Sequence, residues 1–591
     1  MKRFLAALLV LFLFGCSRKE ALTLRKELNI PFVTDIKGFD PIHANDLYSH
    51  MACSQVYQGL LQYKYLARPF ALEPLLAGAM PEISNDGLTY TFHLRPDVYF
   101  HDDPAFGGKK RPLRASDFVY SFKRLADPAS RSPMYWILEG RVVGLDEFRA
   151  KLSNIKPPVA YEAHPVEGLT APDDQTFVLR LKKRYRQLMD VLAMVPTMVV
   201  AHEVVEKYGA EFINHPVGTG PFVLNEWRRG ETVNFERNPN YWVETYPSVG
   251  SEQDRKDGLL AAAGTRLPIV DVLHLRVYVE SQPMWLNFLR GRLDISGISK
   301  DAYSSVFGAD GELKEDMKKR KFALTREQDP DLVYFLFNLE DPILGKYKTL
   351  RQAISQAINR REMIRLFYND RAVAAQGPVG PGLFGYDPDL RDPWSYNLEE
   401  AKKAKAKSLE EYRKDTGRNE FPPIEFDGVA DSTHRQWFEL IASDLKQIGL
   451  KMESRIGTWP QLQARISRRQ IQFTGAAWGA DYPDAENFLQ LLYGKNVSPG
   501  PNNANFKNAV YDRLYDQMRD LPDGPERLEI IKKMVRIIHE EIPWVFFAHR
   551  IAHGLRQGWV RNFKRNSFSP GAYKYIDIDS NEKRETLPLL Q

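Results

Sequence analysis

Residues able to do chemistry occur in three places. His101-Asp102-Asp103 sets an imidazole beside paired carboxylates, which could move protons or hold a divalent ion; a solvated loop after the preceding strand is the preferred reading. His202-Glu203 begins like a His-Glu-x-x-His zinc helix, but Glu206 stands where the second histidine belongs. His549 and His553, four apart, could share a helix face, yet they follow the apolar run Val545-Phe-Phe547 and read as structural. The chain has no Gly-x-Ser-x-Gly elbow and no Gly-x-x-x-x-Gly-Lys phosphate loop. Its only cysteines, Cys16 and Cys53, exclude a Cys-rich metal site. No catalytic residue, metal or cofactor is expected, and a binding role is favoured over an enzymatic one.

The elements that would position a site are those of an α/β protein. Leu88 to Arg95 alternates like a half-buried strand entered from the turn Asn85-Asp86-Gly87. Ser116 to Leu125 reads as a helix behind a serine cap, with Phe118, Phe122 and Leu125 on one face. A helix is expected from Tyr48 to Tyr57, and others over 350–367, 436–450 and 526–541. The charged, Pro-containing stretches 244–267 and 402–421 read as surface loops or insertions. Helices alternating with strands predict sheets covered by helices.

With 591 residues, two or three domains are expected. Lys2 and Arg3, the apolar run Phe4–Phe14 and then Gly15-Cys16 read as an export signal, too short to span a membrane permanently. Without those two cations the balance is 79 basic against 76 acidic side chains, too even to point to nucleic acid. Leu13-Phe14-Gly15-Cys16 resembles a lipobox, although Phe14 departs from the small residues usual there, so Cys16 is the expected lipidation site. Cys53 then has no disulfide partner and reads as a buried small apolar residue.

Several phrases occur in a fixed order along the chain. They are Gly38-Phe-Asp-Pro41 with Tyr57-Gln-Gly-Leu60, Asp86 to Val98, Ala115 to Phe122 with Asp127-Pro128, and Val217-Gly-Thr-Gly-Pro-Phe222 with Asn238-Pro-Asn-Tyr-Trp242. Phe337-Asn338, Arg351-Gln-Ala-Ile354, Ala357-Ile-Asn-Arg360, and Trp478-Gly-Ala-Asp-Tyr-Pro-Asp484 with Asn487-Phe-Leu489 follow. Together the series resembles the peptide, nickel and haem solute-binding proteins of ABC importers, solute-binding protein family 5. The resemblance implies an α/β, two-lobed periplasmic-binding-protein fold of type II, a Venus flytrap with a small extra domain inserted in the first lobe. The implied organisation is a signal peptide over 1–15, a lipid-anchored tether over 16–27, and a discontinuous first lobe from 28–60, 195–285 and 546–580. The extra domain occupies 61–194 and the other lobe 286–545.

The same resemblance places a peptide's α-ammonium on Asp481, where a carboxylate in a water-poor cleft would pair strongly with it. It also places Trp478 and Ala480 along the pocket, with ordinary core packing an equal account of Trp478. Asp484 and Glu486 read as loop and cap residues. Gly218 and Thr219, in Gly218-Thr-Gly-Pro221, could set backbone groups beside an extended peptide, although a sharp structural bend is the simpler reading. The implied partners are a peptide, an ABC transporter permease and, through the N-terminal lipid, a membrane; the chain is expected to be monomeric. Haem, a nickel complex or an oligosaccharide is the alternative ligand, and an exported lipid-anchored hydrolase the alternative of another class.

Overall fold

The computed structural model describes residues 25–155, 159–308 and 310–590, so the signal and Cys16 lie outside the described residues. Glu27–Phe32 lies parallel to Val272–Val277 at one edge of a four-stranded sheet, which Thr232–Arg237 and Phe222–Arg228 complete in antiparallel order. Alternation seats Leu28, Ile30 and Phe32 in the core. A second four-stranded sheet, built around Thr89–His93 and Thr176–Arg180, comes from the 61–194 stretch. Its Phe92, Phe118, Phe177 and Leu179 belong to the same continuous core as Leu28, Phe235 and Tyr575, so this stretch packs with the first sheet as one body.

The second body is an eight-stranded sheet in which Asp331–Phe337, buried at every residue, runs antiparallel to both Phe473–Gly479 and Trp544–Arg556. Burial on both faces explains its near-continuous apolar sequence. Helices Lys348–Ala357, Leu398–Thr416, Ser432–Lys446 and Pro525–Glu541 belong to this body. Buried Arg351 donates to the carbonyls of Leu344, Gly345, Glu541 and Ile542, tying a loop to the C-terminal end of the last helix. The chain crosses from the first body to the second after Val277 and returns after Arg556. Trp544–Arg556 runs unbroken through the second sheet, so a border between residues 545 and 546 falls inside a strand.

Several local expectations need correction. Residues 402–421 are not a loop: helix Leu398–Thr416 covers most of them, because Ala401, Ala404, Ser408 and Tyr412 recur at helical spacing and bury a stripe of small side chains. The helix expected over 350–367 is two, Lys348–Ala357 and Arg360–Tyr368, separated where the Asn359 side chain accepts from the Glu362 N–H at 3.1 Å. Helix Ala115–Ala126 lacks its serine cap, since Ser116 lies inside it. There Asp117 accepts from the Arg114 N–H at 2.9 Å while Arg111 grips the same carboxylate at 2.6 and 2.8 Å.

Candidate ligand-binding site

Strand Phe473–Gly479 delivers the Asp481 phrase to the seam between the bodies. Its ladder with Asp331–Phe337 ends at Gly479 opposite Asp331, and the Ala480 N–H then bonds the Pro330 carbonyl at 2.8 Å. There the chain turns, and helix Glu486–Leu489 returns beneath the turn. Asn487, fully buried on that helix, organises the turn through one amide. Its Oδ1 accepts from the Trp478 indole at 2.8 Å and from the Asp481 N–H at 3.0 Å, while its Nδ2 donates to Asp481 Oδ2 at 3.0 Å. Asp481 Oδ1 takes no hydrogen bond from the described residues.

The free oxygen matters because of its surroundings. Burial pushes the Asp481 carboxyl above its ordinary range, against the opposing effects of the Asn487 hydrogen bond and the charge of His50. His50 lies on helix Leu47–Val56 of the first body, so its influence reaches across the seam. Tyr63 also stands on the first body and donates to Asp190 at 2.7 Å. Burial holds its phenol well above the usual value, and the charges of Asp190, Asp484 and Asp481 add to that. Asp190 itself is pushed up to about 6, first by burial and further by the charge of Asp484. Beside Tyr63, the first-body wall forms a recess lined by Gln58, Leu61, Met198 and Phe568.

Trp478 and Ala480 are half-buried and lie beside Asp481. Gly218 and Thr219 are placed elsewhere, packed against the end of helix Leu47–Val56. A Cβ on Gly218 would lie 2.1 Å from the Val56 carbonyl oxygen. The Gly218 carbonyl accepts from the His101 N–H at 2.8 Å, and Thr219, only 1% exposed, donates to Gln58 at 3.1 Å. The sharp-bend reading accounts for these groups, since they are engaged inside the first body. His101 locks the same bend through Gly220 O at 3.0 Å and the Gly218 N–H at 3.5 Å, so both ring nitrogens are engaged by the backbone, and burial drops its pKa to about 4, which keeps it neutral.

His549 and His553 sit on strand Trp544–Arg556 rather than on a helix, and each bonds a backbone carbonyl. Burial pushes the Cys53 thiol well up, consistent with an inert core residue. Among the described residues no three His, Cys, Asp or Glu side chains could hold a metal. Asp484 and Glu486 do more than shape a loop. Asp484 pairs with Arg527 at 2.5 Å, and buried Glu486 accepts the hydroxyls of both Tyr482 and Tyr515. His50, Asn487 and Tyr482 escaped the sequence reading. Tyr482 and Asn487 lay within matched phrases, but nothing local showed that Tyr482 would enter the core of the opposite body.

Two bodies joined by two chain crossings thus set at their seam a carboxylate with one oxygen that takes no hydrogen bond from the described residues, an arrangement suited to a ligand held between lobes. Residues 71–500 match the family model for bacterial extracellular solute-binding proteins, family 5 Middle, and the chain belongs to that family. It is 25% identical over 556 residues to Heme-binding protein A of Haemophilus influenzae, covering 92% of this chain and 90% of the relative. Di/tripeptide-binding protein 2 of Pseudomonas aeruginosa is 24% identical over 550 residues, covering 92% and 93%. In fold the chain is similar to the periplasmic binding protein DppA of Helicobacter pylori in complex with a peptide, with a TM-score of 0.76 at 22% identity, covering 94% of this chain and 99% of that one. The Escherichia coli murein tripeptide binding protein MppA gives 0.75 at 20%, covering 94% and 99%. The type II periplasmic-binding-protein fold is thereby established.

Proposed function

We propose that this protein is an exported lipoprotein, anchored through Cys16, that captures short peptides between its two bodies and hands them to the permease of an ABC importer. It acts as a monomer and leaves its ligand chemically unchanged. Asp481 receives the peptide α-ammonium, with Trp478 and Ala480 beside it. The observation carrying this reading is the Asp481 carboxylate itself, fixed through one oxygen by Asn487 and presenting the other with no donor among the described residues. Such a half-satisfied carboxylate in a desolvated seam favours a ligand that brings both a positive charge and N–H donors. The peptide-binding names among the relatives support the same ligand class.

The test is mass spectrometry of what the natively purified protein releases on denaturation. A ladder of short peptides is expected. A tetrapyrrole, a metal complex or a sugar as the only released species overturns the peptide reading in favour of the alternative ligand. Peptides recovered cleaved after incubation with the protein would instead identify a hydrolase.

Asn487 supplies a further prediction. Asn487→Asp keeps the shape but replaces the donor 3.0 Å from Asp481 with a second carboxylate. Two carboxylates in that space do not both ionise readily, so the acid limb of peptide binding should move up by about one pH unit or more. Titration calorimetry across pH checks this, and an unmoved limb removes Asn487 from the recognition machinery.

A further inference from the structure

Asp484, three residues beyond Asp481, belongs to a closed ring of charges whose members come from both bodies. Arg527 sits on helix Pro525–Glu541 with none of its side chain exposed. It donates to Asp484 Oδ1 at 2.5 Å and to Asp523 Oδ1 at 2.7 Å. Arg186 comes from the other side, just ahead of Leu188 in the core of the first body, and takes the remaining oxygens. Its Nη1 bonds Asp484 Oδ2, and its Nη2 lies 2.8 Å from Asp523 Oδ2. Two guanidinium forks and two carboxylates thus close a ring of no net charge, each carboxylate giving one oxygen to each arginine.

Three members of the ring belong to the second body and only Arg186 to the first. Separating the bodies removes one cation and leaves Arg527 holding two aspartates, a preformed receptor with net charge −1 aimed at the arriving guanidinium. Arg186 is 29% and Asp523 45% exposed, so the ring lies where water enters on opening, while the Asp484–Arg527 side stays buried. Lys183 and Asp520, 3.7 Å apart, form a looser pair beside it.

We infer that Arg186 is a latch: it completes the Asp484–Arg527–Asp523 ring when the bodies close, and so sets how long any ligand stays enclosed, whatever that ligand's chemistry. The inference concerns closure and goes beyond the peptide reading. Because the ring links closure to the turn bearing Asp481, seating a ligand there and docking Arg186 favour the same conformation.

The experiment measures distances between spin labels on cysteines introduced at the exposed positions Glu139 and Lys533, one on each body, in the whole protein without ligand. Arg186→Gln is expected to shift the distribution to longer, open separations. Arg186→Lys, which loses the fork, should fall between, and Lys183→Gln should stay close to wild type. Raising salt should open the wild type more than Arg186→Gln, which keeps only the other pairs between the bodies, such as Lys183–Asp520. With bound peptide, Arg186→Gln should dissociate about tenfold faster with little change in association rate. Distance distributions and salt response identical in wild type and Arg186→Gln would overturn the latch. If no peptide binds at all, the ligand proposal falls, while the ligand-free distances still decide the latch.

Discussion

Replacing Asp481 by alanine is expected to weaken binding of peptides with a free N-terminus by about 30- to 1,000-fold, the ~2–4 kcal/mol associated with losing one partner of a desolvated, hydrogen-bonded charge pair. Folding stability should change little, because relief of the unfavourable burial of this carboxyl offsets the buried Asn487 donor that loses its partner. The pH dependence carries a sign that can be worked out. In the ligand-free protein the carboxyl binds protons above its ordinary range, and only the ionised form pairs with an ammonium. Affinity should therefore be complete above the raised pKa and fall as pH drops through it, while Asp481→Ala should show no such limb. Calorimetry with free and N-acetylated versions of one peptide makes the comparison. Equal affinity of the two for the wild type would take the ammonium away from Asp481.

What made Asp481 visible in the sequence was its phrase; what makes it suited to a ligand was not visible. The helix of Phe118, Phe122 and Leu125 and the alternating strand around Tyr90 and Phe92 were legible because large apolar side chains repeat at one period. Helix Leu398–Thr416 was not, because the stripe it buries consists mainly of Ala401, Ala404 and Ser408, which carry too little hydropathy to stand out among lysines and glutamates. The Asp117 carboxylate displaced the expected serine cap because Arg111, six residues earlier, folds back to hold it. Charge partners were the least legible of all. Asp484 meets Arg527 and Arg186 at sequence separations of 43 and 298, where no local pattern exists to read. The free oxygen of Asp481 likewise depends on a tertiary fact, that Asn487 donates to only one of the two.

Gly218→Ala should cost about 3 kcal/mol of stability, the upper part of the range for forcing an extra methyl into a packed core. The added carbon would lie 2.1 Å from the Val56 carbonyl oxygen, 2.8 Å from its carbon and 2.9 Å from the ring of Tyr57. Two of those three obstacles are backbone at the end of helix Leu47–Val56, which no rotamer change can clear. Either the bend or the helix must move, and that helix carries His50 toward Asp481. Urea unfolding without ligand is the measurement, since it separates a structural glycine from one that exposes its backbone to a peptide. A variant as stable as wild type but unable to bind would put the Gly218 backbone against the ligand. A destabilised variant whose folded fraction still binds would place the glycine where its contacts do, as the close approach that seats the first-body wall of the cleft.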